Sequence, residues 1–549
     1  MRLVPLLAIA ILSVHSFAVA QDTSPRFPPE GMRAHVAFLA DDLLEGRKTG
    51  TRGHEIAARY VAAQFEAYGL EPGGSDGWFQ QIEFQQTERG AQPGSVTISG
   101  PDGEHSWAHA TEVLVGMNAN ELHLDVSAPL VFVGYGIENE RLGLDDYRGL
   151  DVKGKVVVTL RGFPKGLPSE EGAHLGATKL EIAQKHGAIG YIGVDTLQSL
   201  QAWPWKRRQE TASEPDFAWV GTDGKAYQDA PGVRAWAALN TPAAEALFAG
   251  APRTLDALRV EADQTGAAPK GFALNTRVRI QSEGVARRVT SPNVIGILPG
   301  ADPVLASEYV VLSAHLDHLG TAPERPGDKP DTDRIYNGAL DNAAGIATML
   351  EVARAAAGAP NRPRRSIVFL ASTAEEEGLL GADYFARHPT VPIGQVVANV
   401  DLDMPVLTYP FTDVVAFGAN HSSIGPLVAY AVEPMGISLA PDPMPQEGLF
   451  TRSDHYMFVK QGVPAVFFAT GFANGGEKAW ESLLSGAYHH PNDDMHQQID
   501  WQSGARFAEA NYRVARAIAD GDARPLWVQG DFFGDTFAPD APRAAASTR

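Results

Sequence analysis

From Met32 onward apolar residues recur at three- and four-residue steps: His35, Phe38, Leu39 and the Leu43-Leu44 pair share one face, which predicts an amphipathic helix. A second helix follows, with Ile56, Tyr60, Val61, Phe65 and Leu70 on one face before Pro72-Gly73-Gly74 stops it. Between them Gly46-Arg47-Lys48-Thr49-Gly50-Thr51-Arg52-Gly53 reads as a turn-rich break. Alternation predicts strands over 78–84 and 95–99.

A further region opens with Leu130-Val131-Phe132-Val133 and Tyr135 and continues through the turn Asp151–Lys155 into an apolar strand, Val156–Leu160. A helix from Ala177 to His186 and a short strand, Gly190–Val194, come next. Residues 200–235 are rich in Trp, Pro and charge without a period, which predicts a long surface excursion. From about 275 to 520 the pattern alternates. Strands are predicted at 293–297, 309–314, 366–371, 396–402, 412–417 and 464–469, and helices at 342–357, 378–386, 423–434, 452–461 and 504–518. Such alternation predicts an α/β fold whose mostly parallel sheet carries helices on both faces. The stretch after Trp527, mostly Pro, Ala, Gly and Asp, is expected to pack loosely.

Composition narrows the classes. With 549 residues, 44% hydrophobic and 20% charged, the chain is ordinary globular material of about three domains by length. Lys+Arg is 45 against Asp+Glu 66, a net charge of -21. A nucleic acid or anionic membrane needs clustered cations, so neither is an expected partner. Trp203-Pro204-Trp205-Lys206-Arg207-Arg208 is the one aromatic–cationic patch, and in so acidic a chain it reads as a solvated loop. There is no cysteine, which excludes disulfides, thiolate nucleophiles and sulfur-ligated metals. Arg2, the apolar run Leu3–Leu12 and the small residues of Ala18-Val19-Ala20 predict a secretory signal peptide over 1–20. The expected location is therefore periplasmic or secreted, with no stable membrane insertion, since no later apolar run is long enough to span a bilayer.

Candidate chemistry sits at the carboxyl ends of predicted strands, where open α/β sheets bind ligands. One strand runs into His315-Leu316-Asp317-His318, another into Glu375-Glu376-Glu377, and a third into Asp403. Asp341 lies at the mouth of the 342–357 helix, where an N-cap is the plainer role, and His489 lies in a turn-like loop, Tyr488-His489-His490-Pro491-Asn492-Asp493. Imidazoles and carboxylates without sulfur suit zinc, and equally manganese or cobalt. Five ligands exceed one tetrahedral zinc but fit two metals sharing a bridging carboxylate.

Taken together these residues resemble the co-catalytic di-zinc aminopeptidases, specifically secreted bacterial members with an inserted protease-associated domain. The resemblance rests on Ser313–Gly320, Ile335–Asn342, Glu375–Gly381, Asp401–Met404, Arg452–Tyr456 and Tyr488–Asp493, and covers nearly the whole mature chain. It implies a zinc-exopeptidase fold with an inserted smaller α/β domain: an N-terminal peptidase part over 28–119, the insert over 120–272, the catalytic domain over 273–525 and a tail over 526–549. It implies further that Asp341 bridges two zinc ions, with His315 and Asp403 completing one site and Glu376 and His489 the other. Glu375 matches the general base, Asp317 the residue that orients His315, and Tyr488 a tyrosine that polarises the scissile carbonyl. The implied reaction is attack of a zinc-bridging hydroxide on the first peptide bond of a peptide substrate.

Some positions stay open. A one-residue slip makes Glu376 the base and Glu377 the ligand; His490 competes with His489, and Asp401 with Asp403. Leu340 stands where some members have Asp. A carboxypeptidase or dipeptidase on the same site would need an arginine for the free carboxylate, and Arg452 is the nearby candidate. A non-catalytic receptor-like relative or a one-zinc aminoacyl cyclase is disfavoured by the full ligand set.

Overall fold

A computed structural model describes residues 25–325 and 327–545. The expected signal peptide lies outside the described residues. Four strands, Tyr309–His315, Ser366–Ser372, Val396–Asp401 and Ala465–Thr470, form the parallel centre of the sheet that carries the site. Their side chains are buried almost without interruption, as near-continuous apolar runs require when both faces of a parallel sheet are covered. Asp413–Phe417 pairs antiparallel at one side and Ser438–Ala440 lies beyond it. The other side is closed, antiparallel, by the end of a 27-residue strand, Phe272–Leu298, then by Phe79–Arg89. Helices Pro29–Leu39, Arg52–Tyr68, Ala344–Ala357 and Trp501–Asp520 pack together over this sheet. Helix His455–Val459 packs on strands Val396–Asp401 and Ala465–Thr470 and against helix Leu380–Arg387.

The first half of the long strand belongs to a second sheet. There His123–Phe132, Val156–Leu160, Gly190–Val194 and Ala235–Leu239 form a parallel ladder, with Phe272–Leu298 antiparallel along His123–Phe132. Ser95–Gly100 and Gly103–Ala108 extend that sheet beyond the long strand, and Val113–Val115 closes its other edge. The strands over 95–115, expected in the peptidase part, therefore pair within this second sheet, which along the long strand reaches Glu283.

Three other expectations change. The 200–235 excursion holds two short helices, Leu197–Ala202 and Trp205–Glu210, and strand Asp216–Trp219, which pairs with Phe79–Arg89. Trp219 is buried there and donates its indole N–H to Asp383 at 2.9 Å. The two arginines of the Trp203–Arg208 patch are engaged locally: Arg207 lies over Trp203, and Arg208 lies over Trp205 and pairs with Asp195. The tail is not loose. Trp527, Phe532 and Phe533 are buried, the last two on a short helix, Phe532–Phe537. The expected 177–186 helix begins earlier and is broken at Thr178 into Ser169–Ala177 and Lys179–Lys185. Among the described residues no helix is long and apolar enough to cross a membrane.

Candidate metal centre

The register of the parallel strands gathers the site. His315 closes its strand opposite Ser372, and Ser313 pairs with Asp401. All three strands thus end at one level, and Asp317, Glu375, Glu376 and Asp403, just beyond them, gather around one space. Asp341 reaches it from the turn before helix Ala344–Ala357. It does not cap that helix; Asn342 Oδ1 instead accepts from the Gly345 N–H at 3.0 Å. The turn is tight: Gly338 has φ +57°, and a Cβ there would lie 2.0 Å from the Asp341 carbonyl oxygen.

One acid–base chain runs through the cluster. Asp403 Oδ1 lies 3.2 Å from His315 Nε2, and Asp341 Oδ1 lies 3.1 Å from the same nitrogen. The other Asp341 oxygen lies 3.3 Å from His489 Nε2, which is 3.2 Å from Glu376 Oε2. Asp341 alone therefore belongs to both halves. His315, Asp341 and Asp403 present oxygen and nitrogen atoms close enough to share one ion, and so do His318, Asp341 and Glu376. Burial alone would disfavour a charge on His489, yet Glu376 and Asp341 push its pKa up to about 10. Glu375 is lifted well above the usual carboxylate range, by burial first and then by Glu376 and Asp403. Such a field calls for added positive charge. Three carboxylates and two or three imidazoles without sulfur are a donor set that fits two divalent ions.

The positions left open by sequence differ in their surroundings. Glu377 pairs with Lys48 at 2.9 Å instead of entering the cluster. His490 is exposed, whereas His489 turns inward with φ +57°. Asp401 is engaged by two hydroxyls, Ser313 Oγ at 2.6 Å and Ser453 Oγ at 2.7 Å, so Asp403 is the one left to meet His315. The role expected of Asp317 differs. His315 Nδ1 bonds to the Asp317 backbone carbonyl at 3.1 Å, with the carboxylate 3.9 Å away. That carboxylate instead accepts the backbone N–H groups of Glu375 at 3.1 Å and Glu376 at 3.4 Å, and so shapes the glutamate loop. Tyr488 stacks on His489 at 3.9 Å, and burial raises its phenol pKa.

Three residues had no role from sequence. His318 Nδ1 lies 2.6 Å from Glu376 Oε1, and its signal was a second histidine directly after His-x-Asp. Asp493, fully buried, accepts the backbone N–H groups of Leu340 and Asp341 at 3.0 Å each and fixes the turn that presents Asp341. Ser453 Oγ lies 2.7 Å from both Asp401 and Asp403. Neither contact has a local sequence signal, because the partners lie 50 residues or more apart.

Residues 293–515 match the model of peptidase family M28, a span that takes in His315 through His489. In this segment the chain is similar to peptidase family M28. Two curated relatives are similar at lower identity. The mouse aminopeptidase NAALADL1 is 24% identical over 373 residues, which is 58% of this chain and 45% of the relative. A probable zinc metalloprotease of Pyrenophora teres f. teres is 26% identical over 257 residues, 43% of this chain and 49% of the relative. The chain spans about half the length of these curated relatives. Among solved structures, the aminopeptidase from Aneurinibacillus sp. strain AM-1 superposes with a TM-score of 0.50 at 20% identity, over 90% of this chain and 94% of that one. It shares the mixed α/β fold with a large, mostly parallel central sheet.

Proposed function

We propose that the chain is an exported two-metal aminopeptidase that removes amino-terminal residues from peptides. The observation that carries this reading is the position of Asp341, one carboxylate whose two oxygens each face a different imidazole, each backed by a further carboxylate. His315, Asp341 and Asp403 would hold one zinc, and Asp341, Glu376 and His489 the other, with His318 bracing Glu376. Manganese or cobalt would suit the same donors. When bound, the metals would supply Lewis-acid polarisation of the scissile carbonyl and a nucleophilic water near neutral pH.

The chain's own residues do the rest. Glu375, held by its N–H to Asp317, takes the proton of the attacking water and returns it to the leaving amine. Tyr488, kept protonated by burial, donates a hydrogen bond to the oxyanion that develops from the carbonyl. The acidic field around the site favours a cationic peptide amino terminus over a free carboxylate. The insert, which resembles a protease-associated domain, limits access by large substrates in this reading, and the signal over residues 1–20 directs export.

A carboxypeptidase or dipeptidase would use the same centre with Arg452, whose half-exposed guanidinium is held to Glu447 at 3.5 Å. A panel of aminoacyl and carboxy-terminal reporter peptides, run with and without chelator, separates the two. Chelator-sensitive release from aminoacyl reporters is expected; release only from carboxy-terminal reporters would establish the other reading.

A further inference from the structure

The turn between the first two helices, a mere connector by sequence, reaches three loops of the metal centre with three consecutive side chains. Arg47 is 1% exposed. Its Nε donates to Leu316 O at 3.0 Å, and its terminal nitrogens donate to Asn337 O at 2.6 Å, Gly338 O at 3.1 Å and Leu39 O. It therefore ties the loop bearing His315, Asp317 and His318 to the loop bearing Asp341. Lys48 pairs with Glu377, next to Glu376. Thr49 Oγ1 donates to Asp317 Oδ2 at 3.2 Å, the carboxylate that holds the backbone of Glu375 and Glu376.

The backbone supplies an independent observation. Glu45, Gly46 and Arg47 all have positive φ, at 49°, 69° and 51°. A non-glycine residue stays in that region only where its surroundings over-determine it, and such strain collects at functional sites. The fit is close as well: a Cβ at Gly46 would lie 2.4 Å from Gly320 O and 2.6 Å from Tyr336 O.

We propose that Arg47, Lys48 and Thr49 are positioning residues, a strut from outside the M28 segment that sets the two halves of the metal centre at their working separation. The proposal rests on the two-metal reading. Groups that orient metal ligands through one intervening contact typically alter metal affinity by 10- to 100-fold when removed. Thr49→Val keeps the side-chain volume and deletes the hydroxyl that steadies Asp317, while Thr49→Ser restores it.

The test uses the full chain stripped of metal and retitrated with zinc against a chromophoric chelator, together with the melting temperature of the metal-free protein. Thr49→Val is expected to bind zinc about 10-fold more weakly than the parent, with an unchanged metal-free melting temperature and a fall in kcat larger than any rise in KM. Thr49→Ser should return to the parent affinity. Arg47→Lys, which keeps the charge but cannot reach all four carbonyls, should weaken binding further. Parent-like zinc affinity in Thr49→Val would overturn the strut, as would a loss matched by lower metal-free stability. A parent protein that binds fewer than two zinc ions would instead overturn the two-metal reading.

Discussion

Glu377 Oε1 and Lys48 Nζ meet at 2.9 Å, so the last member of the glutamate triplet is turned to a lysine outside the metal cluster. Glu376 faces His489 and His318, and among the described residues Glu375 makes no ion pair, which is the arrangement expected if Glu375 is the base. Glu375→Gln should therefore retain bound metal and lose roughly 10²- to 10⁴-fold in kcat, the usual contribution of a positioned proton-transfer group. Glu377→Gln should stay much closer to the parent rate. Steady-state kinetics with metal analysis of both variants checks the assignment; the opposite ranking would move the base to another glutamate.

Asp341 is the one carboxylate common to both halves of the cluster. Asp341→Ala should lower metal content from two ions to one or none per chain and abolish detectable turnover. Asp403→Ala, which removes a carboxylate from the His315 half alone, should leave the other half loaded. Elemental analysis after dialysis distinguishes them.

Away from the centre, His421 sits between Glu170 of helix Ser169–Ala177 at 2.7 Å and Asp531 near the end of the chain at 2.5 Å. Burial alone would lower its pKa, but Asp531 and Glu170 outweigh that and push it up to about 9. A raised folded-state pKa means that the protonated form stabilises the fold. That stabilisation, about 3 kcal/mol at most from a shift of this size, is complete below the unfolded value near 6.5 and is lost as pH rises through about 9. Melting temperature should fall between those pH values in the parent, and His421→Gln should flatten the dependence.

The tail is part of the same junction. Phe533 is fully buried, with its ring 4.9 Å from both His421 and Phe450. Phe533→Ala should cost about 3–5 kcal/mol of stability, the range for emptying a buried aromatic site. Denaturant titration measures it, and a loss within experimental error would mean that the tail does not contribute to the core.

Buried strands were legible because each is a short apolar run ending in a polar residue. Those reaching His315, Ser372 and Asp401 begin and end within a residue or so of the pattern. The sequence pattern marks the 272–298 strand only over 293–297, because its earlier half exposes Asn275, Arg277 and Arg279 in alternation and pairs with segments 140 residues or more away. The tail's packing is hidden in the sequence for a different reason. Two adjacent phenylalanines carry no period, and only tertiary contact with His421 and Tyr456 gives them a core. Within the site, His315, Glu376 and Asp403 stand out in the sequence because they end or follow buried strands, whereas Asp493, Ser453 and Arg47 act through backbone or carboxylate contacts formed only on folding.

The most direct test follows hydrolysis of an aminoacyl p-nitroanilide panel as zinc is added to metal-free protein, beside the same substrates N-acetylated. Release should rise to a maximum at two zinc ions per chain, occur only with a free amino terminus and vanish with chelator. Hydrolysis that persists without metal, saturates at one ion or accepts the acetylated substrates equally well would contradict a two-metal aminopeptidase.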